Sequence, residues 1–181
     1  MKKGVYDILW SMHGFYAIPV IDLTSVLKKC LDSLNDTGIA LVGLANRNSF
    51  YITFYEQYLN CIHSGDGDGF TSAEDIMDAL MILDVPYQIK SIIYEERIDV
   101  DDYASLSHYI INESTINSFN KDEDLIDIPM SEHITLEEVL SHKQLQGFLQ
   151  SFIRGSAYYF PQEIQLISFG NLSAYPFFFE S

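Results

Sequence analysis

Positive charge is scarce in this chain: ten Lys and Arg stand against 26 Asp and Glu in 181 residues, a formal net charge of −16. Phosphate backbones and anionic membrane surfaces are repelled by such a balance, which argues against nucleic acid and membranes as partners. Cysteine is nearly absent. Cys30 and Cys61 are the only two, too few for a disulfide framework, and they read as reduced thiols of a cytoplasmic protein. No apolar run is long enough to span a bilayer, and no cationic start with an apolar core reads as a signal peptide. Low-complexity tracts and internal repeats are missing too. What remains is 48% hydrophobic and 14% aromatic, too apolar for disorder and, at this length, enough for one domain with a buried core.

The apolar residues fall into alternating strand and helix patterns. Residues 4–12, "GVYDILWSM", read as a strand that starts three residues after Met1. In 22–34, Leu23, Val26, Leu27, Cys30, Leu31 and Leu34 recur at spacings of three and four, the stripe of an amphipathic helix with Asp22 as its N-cap. Cys30 on that stripe reads as a packing residue. "NDTG" at 35–38 reads as a turn, and "IALVGLA" at 39–45, apolar on both faces, as a central strand covered by helices. An aromatic helix follows near 49–61, then a helix over 72–83 closed by Pro86, a strand over 87–95, a helix over 101–112, an exposed polar loop over 114–132, a helix over 135–153 and a last strand over 163–170. Thr135 and Glu138 have capping-box spacing. The order predicts an α/β sheet whose beginning is largely parallel.

"HSGDGDGFTSAED" at 63–75 has motif-like density. Read as a calcium loop, Asp66 and Asp68 fall on ligand positions, but Ser64 stands where a carboxylate is wanted and Asp75 where a bidentate Glu is wanted. Read as a dinucleotide loop, it lacks a preceding strand and interleaves Gly65, Gly67 and Gly69 with acids that oppose phosphate. The simplest reading is a connector in which Thr71 and Glu74 cap the next helix. His63, His108, His133 and His142 show no ligand spacing, so no metal is expected.

The stretch from Tyr6 to Gly38 resembles the fourth strand, following helix and fifth strand of class I S-adenosylmethionine-dependent methyltransferases. The match is carried by Tyr6, Asp7, Ile8, Leu9, Ser11, His13, Phe15, Tyr16, Leu34, Thr37 and Gly38. "FTSAEDIMDALMILDVPYQIKSII" resembles the segment leading into the sixth strand of small-amine methyltransferases, and "YYFPQEIQLISF" the end of the histamine N-methyltransferase family. The resemblance implies a partial Rossmann-like sheet of late strands and helices over 1–170, with an aromatic tail at 171–181. The amino-terminal half, with its glycine-rich cofactor turn, would be lacking. It implies S-adenosylmethionine as cofactor, Ser11 and Met12 bordering it, and a small amine substrate contacted by His13, Tyr16 and Gln162, with His13 orienting the amine or accepting its proton. Methyl transfer to an amine is an in-line displacement that needs no metal or covalent nucleophile.

Without that first half, the strand over 5–10 presents an unpaired apolar edge. A homo-oligomer or a second chain is expected to cover it, and activity of the chain alone is in question. The alternatives are a non-catalytic interaction or dimerisation protein, a subunit completing a split methyltransferase, and a calcium-responsive module built on Asp66 and Asp68.

Overall fold

The structure is a computed structural model that describes residues 4–67, 69–115 and 135–174, with side chains at 112–115 and 174 left aside. Asp68, His133, residues 116–132 of the loop expected over 114–132 and the tail from 175 lie outside the described residues; positions 114 and 115 of that loop belong to the helix before it. Elements run β1 (Tyr6–Met12), α1 (Val20–Ser33), β2 (Leu34–Ala45), α2 (Phe50–Ile62), α3 (Ala73–Ile82), β3 (Tyr87–Asp99), α4 (Tyr103–Thr115), α5 (Leu136–Ser141), α6 (Lys143–Gln150), β4 (Ile153–Arg154) and β5 (Ala157–Gly170). The described residues fall into two compact units. One draws on Met1–Ile52, Phe70–Tyr94 and Gln162–Ser181, the other on Thr53–Gly69 and Glu95–Pro161.

The sheet runs in the order β1-β2-β5-β3, with β4 beside β5. β1 and β2 are parallel, as expected of a pair joined by a crossover helix. β5 then lies antiparallel to β2, Ile39 facing Gly170 and Ala45 facing Ile164. The sheet is therefore mixed. β2 is central, and its Ile39–Ala45 run is buried at every position, because both of its faces are covered. "NDTG" is not a separate turn. Tyr6 pairs with Leu34 and Ile8 with Ile39, so the interval 34–39 on β2 faces the interval 6–8 on β1 and bulges inside β2. Asn35 holds the bulge by donating from Nδ2 to Asp7 Oδ1 at 2.6 Å and accepting from the Thr37 N–H and hydroxyl at 3.0 Å.

α1 buries Leu23, Leu27 and Cys30, each leucine worth about 2 kcal/mol of apolar burial. Burial raises the Cys30 thiol pKa, keeping it protonated and unreactive. Asp22 does not cap this helix: Pro19 is the N-cap, and Asp22 lies in the first turn with its N–H bonded to Pro19 O at 2.9 Å. The fixed φ of proline sets the cap three residues early.

The α3 cap also sits one residue beyond the expected pair. Ser72 and Asp75 form the capping box, while Glu74 accepts the Arg47 N–H and Thr71 donates to Ile18 O. The sequence holds two overlapping boxes, T-x-x-E and S-x-x-D, and these tertiary partners select the second. Pro86 does not close α3. The helix ends at Ile82, and Asp84 turns the chain in a left-handed conformation at φ 53°.

In the second unit, α2 runs out at Ile62. Gly65, at φ 81°, returns its N–H to Leu59 O at 3.0 Å, a helix-closing turn that gives the glycine-rich loop a backbone task. The helix expected over 135–153 is two helices. Thr135 and Glu138 cap α5 as expected, but His142 is extended at φ −83°, ψ 110° and separates α5 from α6. Ser141 bonds back to Glu138 O at 2.7 Å, a local competitor with helix continuation. Among the described residues, no helix is long and apolar enough to cross a membrane.

Candidate functional site

The carboxyl end of β1 carries three consecutive residues of interest, Ser11, Met12 and His13. Ser11 and Met12 are half-buried at the end of the strand. Met12 lies over Gly43 of β2, so closely that a Cβ on that glycine would sit 2.4 Å from the Met12 sulfur. The Ser11 hydroxyl lies under Gly14, 2.7 Å from where a Cβ would stand. His13 then leaves the strand. Its N–H still donates to Gly43 O at 2.9 Å, but its backbone takes φ 58°, a left-handed conformation that costs a non-glycine residue roughly 1 kcal/mol and turns the chain sharply.

That turn lays the imidazole on Tyr16. The rings stack at 5.6 Å with 28° between planes, and His13 Nδ1 is 3.1 Å from Tyr16 Oη. Tyr16 is buried, and its Oη also accepts the N–H of Ala45, at the end of β2, at 2.8 Å. The phenol thus ties the ends of both parallel strands to the imidazole. His13 keeps an exposed side, yet partial burial lowers its pKa, so the ring is neutral at neutral pH. Tyr16 fixes the Nδ1 side and leaves Nε2 for a ligand.

Behind Tyr16 lies an aromatic cluster. Tyr51, at the start of α2, is 4.8 Å from the Tyr16 ring and stacks on Phe70 at 4.6 Å with 9° between planes. Gln162 joins through the backbone: its Oε1 accepts the Tyr51 N–H at 3.4 Å, satisfying a free donor in the first turn of α2. Next to it, Ser49 Oγ donates to Glu163 O at 2.8 Å and accepts the Glu163 N–H at 2.9 Å. Gln162 is buried and lies inside β5 rather than before it. His13, Tyr16 and Gln162 therefore meet in one cluster through Tyr51, while Ser11 and Met12 flank it on β1. Tyr51 was not singled out from sequence, and Phe70 entered only as a backbone position of the calcium-loop reading, not as a member of this cluster. With 24 Tyr and Phe in the chain, nothing in the pattern marks these two.

Arg47, also unmarked by sequence, buttresses the loop after β2. It donates to Ser72 Oγ at 3.3 Å and to Asp75 Oδ1 at 2.6 Å, and its own N–H is held by Glu74. Burial alone would raise the Asp75 pKa, but the Ser72 hydroxyl and N–H and the Arg47 guanidinium outweigh it and hold the carboxyl below its usual range. Asp75 therefore stabilises the fold fully above the ordinary carboxylate range, and the contribution fades as pH falls through the lowered pKa. Asp75→Asn is expected to cost about 1 kcal/mol at neutral pH. The gap from wild type should close in acid, as read from urea midpoints across a pH series.

Among the described residues, no group of three His, Cys, Asp or Glu is arranged to hold a metal ion. Of the two aspartates on which the calcium reading rests, Asp66 is described and Asp68 is not, and Asp75, at the last position of that loop, is engaged by Arg47 and Ser72.

The fold recurs in solved structures. The chain aligns over 94% of its length with a protein from Bacillus halodurans C-125 assigned as a methyltransferase, at 10% identity and a TM-score of 0.50. It aligns over 93% with the YcgJ protein of Bacillus subtilis, at 12% identity and a TM-score of 0.52. The fold is a methyltransferase fold. An S-adenosylmethionine-dependent methyltransferase from Archaeoglobus fulgidus also matches over 92% of the chain, at 11% identity and a TM-score of 0.41. No family model and no curated protein matches the sequence. The chain covers 66% and 65% of the first two proteins, slightly under two thirds of their length. In this methyltransferase fold, the His13 cluster occupies the carboxyl ends of the parallel strands β1 and β2, where open α/β sheets bind ligands.

Proposed function

We propose that the chain serves methyl transfer from S-adenosylmethionine to a small amine, as the substrate-facing, late-strand part of an N-methyltransferase. The observation that carries this reading is His13: a neutral imidazole, set in a left-handed turn at the end of β1 and braced by Tyr16. Such a group can accept a hydrogen bond or a proton from an amine and hold it in line, the contribution this chemistry asks of a protein. Gln162 and Tyr51 brace the same wall, and the 26 acidic residues favour approach of a cationic amine.

The residues present do not fit the cofactor on their own. Among the described residues, β1 is followed by "HGFY" and β2 by "NRNS", neither a glycine-rich phosphate or ribose cradle. The Met12 sulfur is committed to covering Gly43. The chain offers S-adenosylmethionine one border, at Ser11 and Met12, and we infer that the rest of the pocket comes from residues that this chain does not supply. A second reading, a non-catalytic interaction protein of methyltransferase ancestry, is favoured by the exposed apolar β1.

Two titrations test the proposal. Calorimetry with S-adenosylmethionine is expected to show no micromolar binding by the chain alone. Histamine, used as a small-amine probe, is expected to shift the NMR signals of the His13 ring, with His13→Ala abolishing the response at Tyr16. An amine titration that leaves His13 unmoved would remove the substrate-facing role. The His13 ring should also titrate below the ordinary histidine range. Because the unfolded chain takes up that proton first, this residue's contribution to stability is lost as pH falls below that range.

A further inference from the structure

We propose that β1 is a self-association strand, pairing antiparallel with the β1 of a second copy of this chain. β1 is the end strand of the sheet: one side pairs with β2, and among the described residues no strand pairs with the other. An open edge of this kind is a template for strand addition unless it is blunted. This one is not. Ile8 is 50% exposed and Trp10 65%, Tyr6 is exposed beside them, and all three alternate onto one face. The opposite edge strand, β3, exposes isoleucines too, but it carries Lys90, Glu95, Glu96 and Arg97 along its length, the charges that natural edges use against pairing.

Charge selects the occupant. Two copies of a −16 chain repel across most of their surface, yet residues 4–21 contain a single carboxylate, Asp7, and Asn35 already holds it. A basic partner would be drawn to the acidic surface rather than to this neutral stretch, whereas a second copy can approach only where charge is lacking. The strand is also self-complementary. Centred on Ile8, a two-fold pair sets Ile8 against Ile8 and each Tyr6 against the other copy's Trp10, an aromatic cross-strand pair. Each Asp7 then faces Leu9 rather than its own twin.

The experiment measures solution mass for the full chain as a function of concentration and salt. A species of twice 20.7 kDa is expected, strengthened by salt because salt screens the repulsion. Ile8→Lys/Trp10→Lys should weaken the dimer by about a hundredfold or more, since each change occurs twice in a two-fold interface. Amide exchange of residues 5–10 should slow as protein concentration rises. The control Ile93→Lys on β3 should leave the dimer intact, and circular dichroism checks that each variant folds. A monomer at high concentration and raised salt overturns the proposal, as does a dimer broken by Ile93→Lys and not by the β1 changes. None of these readouts depends on methyl transfer, so this inference and the functional proposal fail separately.

Discussion

Gly170→Ala is expected to lower the melting temperature by about 10 °C, equivalent to about 3 kcal/mol in a chain of this size. Two costs add at this position. The backbone stands at φ 100°, which an L side chain reaches only with strain. A Cβ there would also meet Gly38 O at 2.8 Å and the Leu34 Cδ1 at 3.1 Å. The carbonyl cannot simply retreat, because it accepts the Asn171 N–H at 2.9 Å. Gly38 is itself crowded, its own Cβ position lying 2.7 Å from Tyr6 O, so the end of β5, the β2 bulge and β1 are packed backbone on backbone. Gly147 is the contrast: it lies in α6 with open space around its Cβ position and no positive φ, and Gly147→Ala should be neutral or stabilising by up to about 1 kcal/mol. Thermal melts of the pair decide the matter; equal melting for Gly170→Ala and wild type would mean that β5 does not end against the bulge.

Tyr16→Ala should cost still more, about 4 kcal/mol, the loss for a large buried aromatic. The phenol also holds the Ala45 N–H, touches His13 and packs on Tyr51 and Phe70. Tyr16→Phe separates these roles. It keeps the ring and deletes the acceptor, leaving the buried Ala45 N–H without its bond, for about 1 to 2 kcal/mol. Urea unfolding of the two variants should therefore rank Ala well below Phe and Phe below wild type. Equal losses would make the hydroxyl, not the ring, the centre of the cluster.

The alternating order of β1, α1 and β2 was legible in sequence because each carries its own period: the stripe of Leu23, Leu27 and Cys30, and the unbroken apolar run at 39–45. Boundaries were less so. Thr71 against Ser72 is a choice between adjacent hydroxyl residues, settled by contacts far away in sequence such as Glu74 with Arg47, whereas Asp22 gives way to Pro19, three residues earlier, through the fixed φ of proline. In the site, His13 and Tyr16 are three residues apart and could be read together; Tyr51, Phe70 and Gln162 meet them only through the fold. The lowered His13 pKa and its left-handed backbone have no signature in a string of letters.

The placement of β5 between β2 and β3 has a bearing on synthesis. β1, α1 and β2 can close on one another soon after Ala45 is made, since their contacts are local. The second side of β2 must wait, because Ile39 pairs with Gly170 and Ala45 with Ile164. At 5 to 20 residues per second, roughly 6 to 25 s separate the making of Ala45 from that of Gly170. Through that interval the most apolar strand of the chain has a bare edge on the ribosome, so its yield in cells should track the supply of nascent-chain chaperones more closely than its final stability.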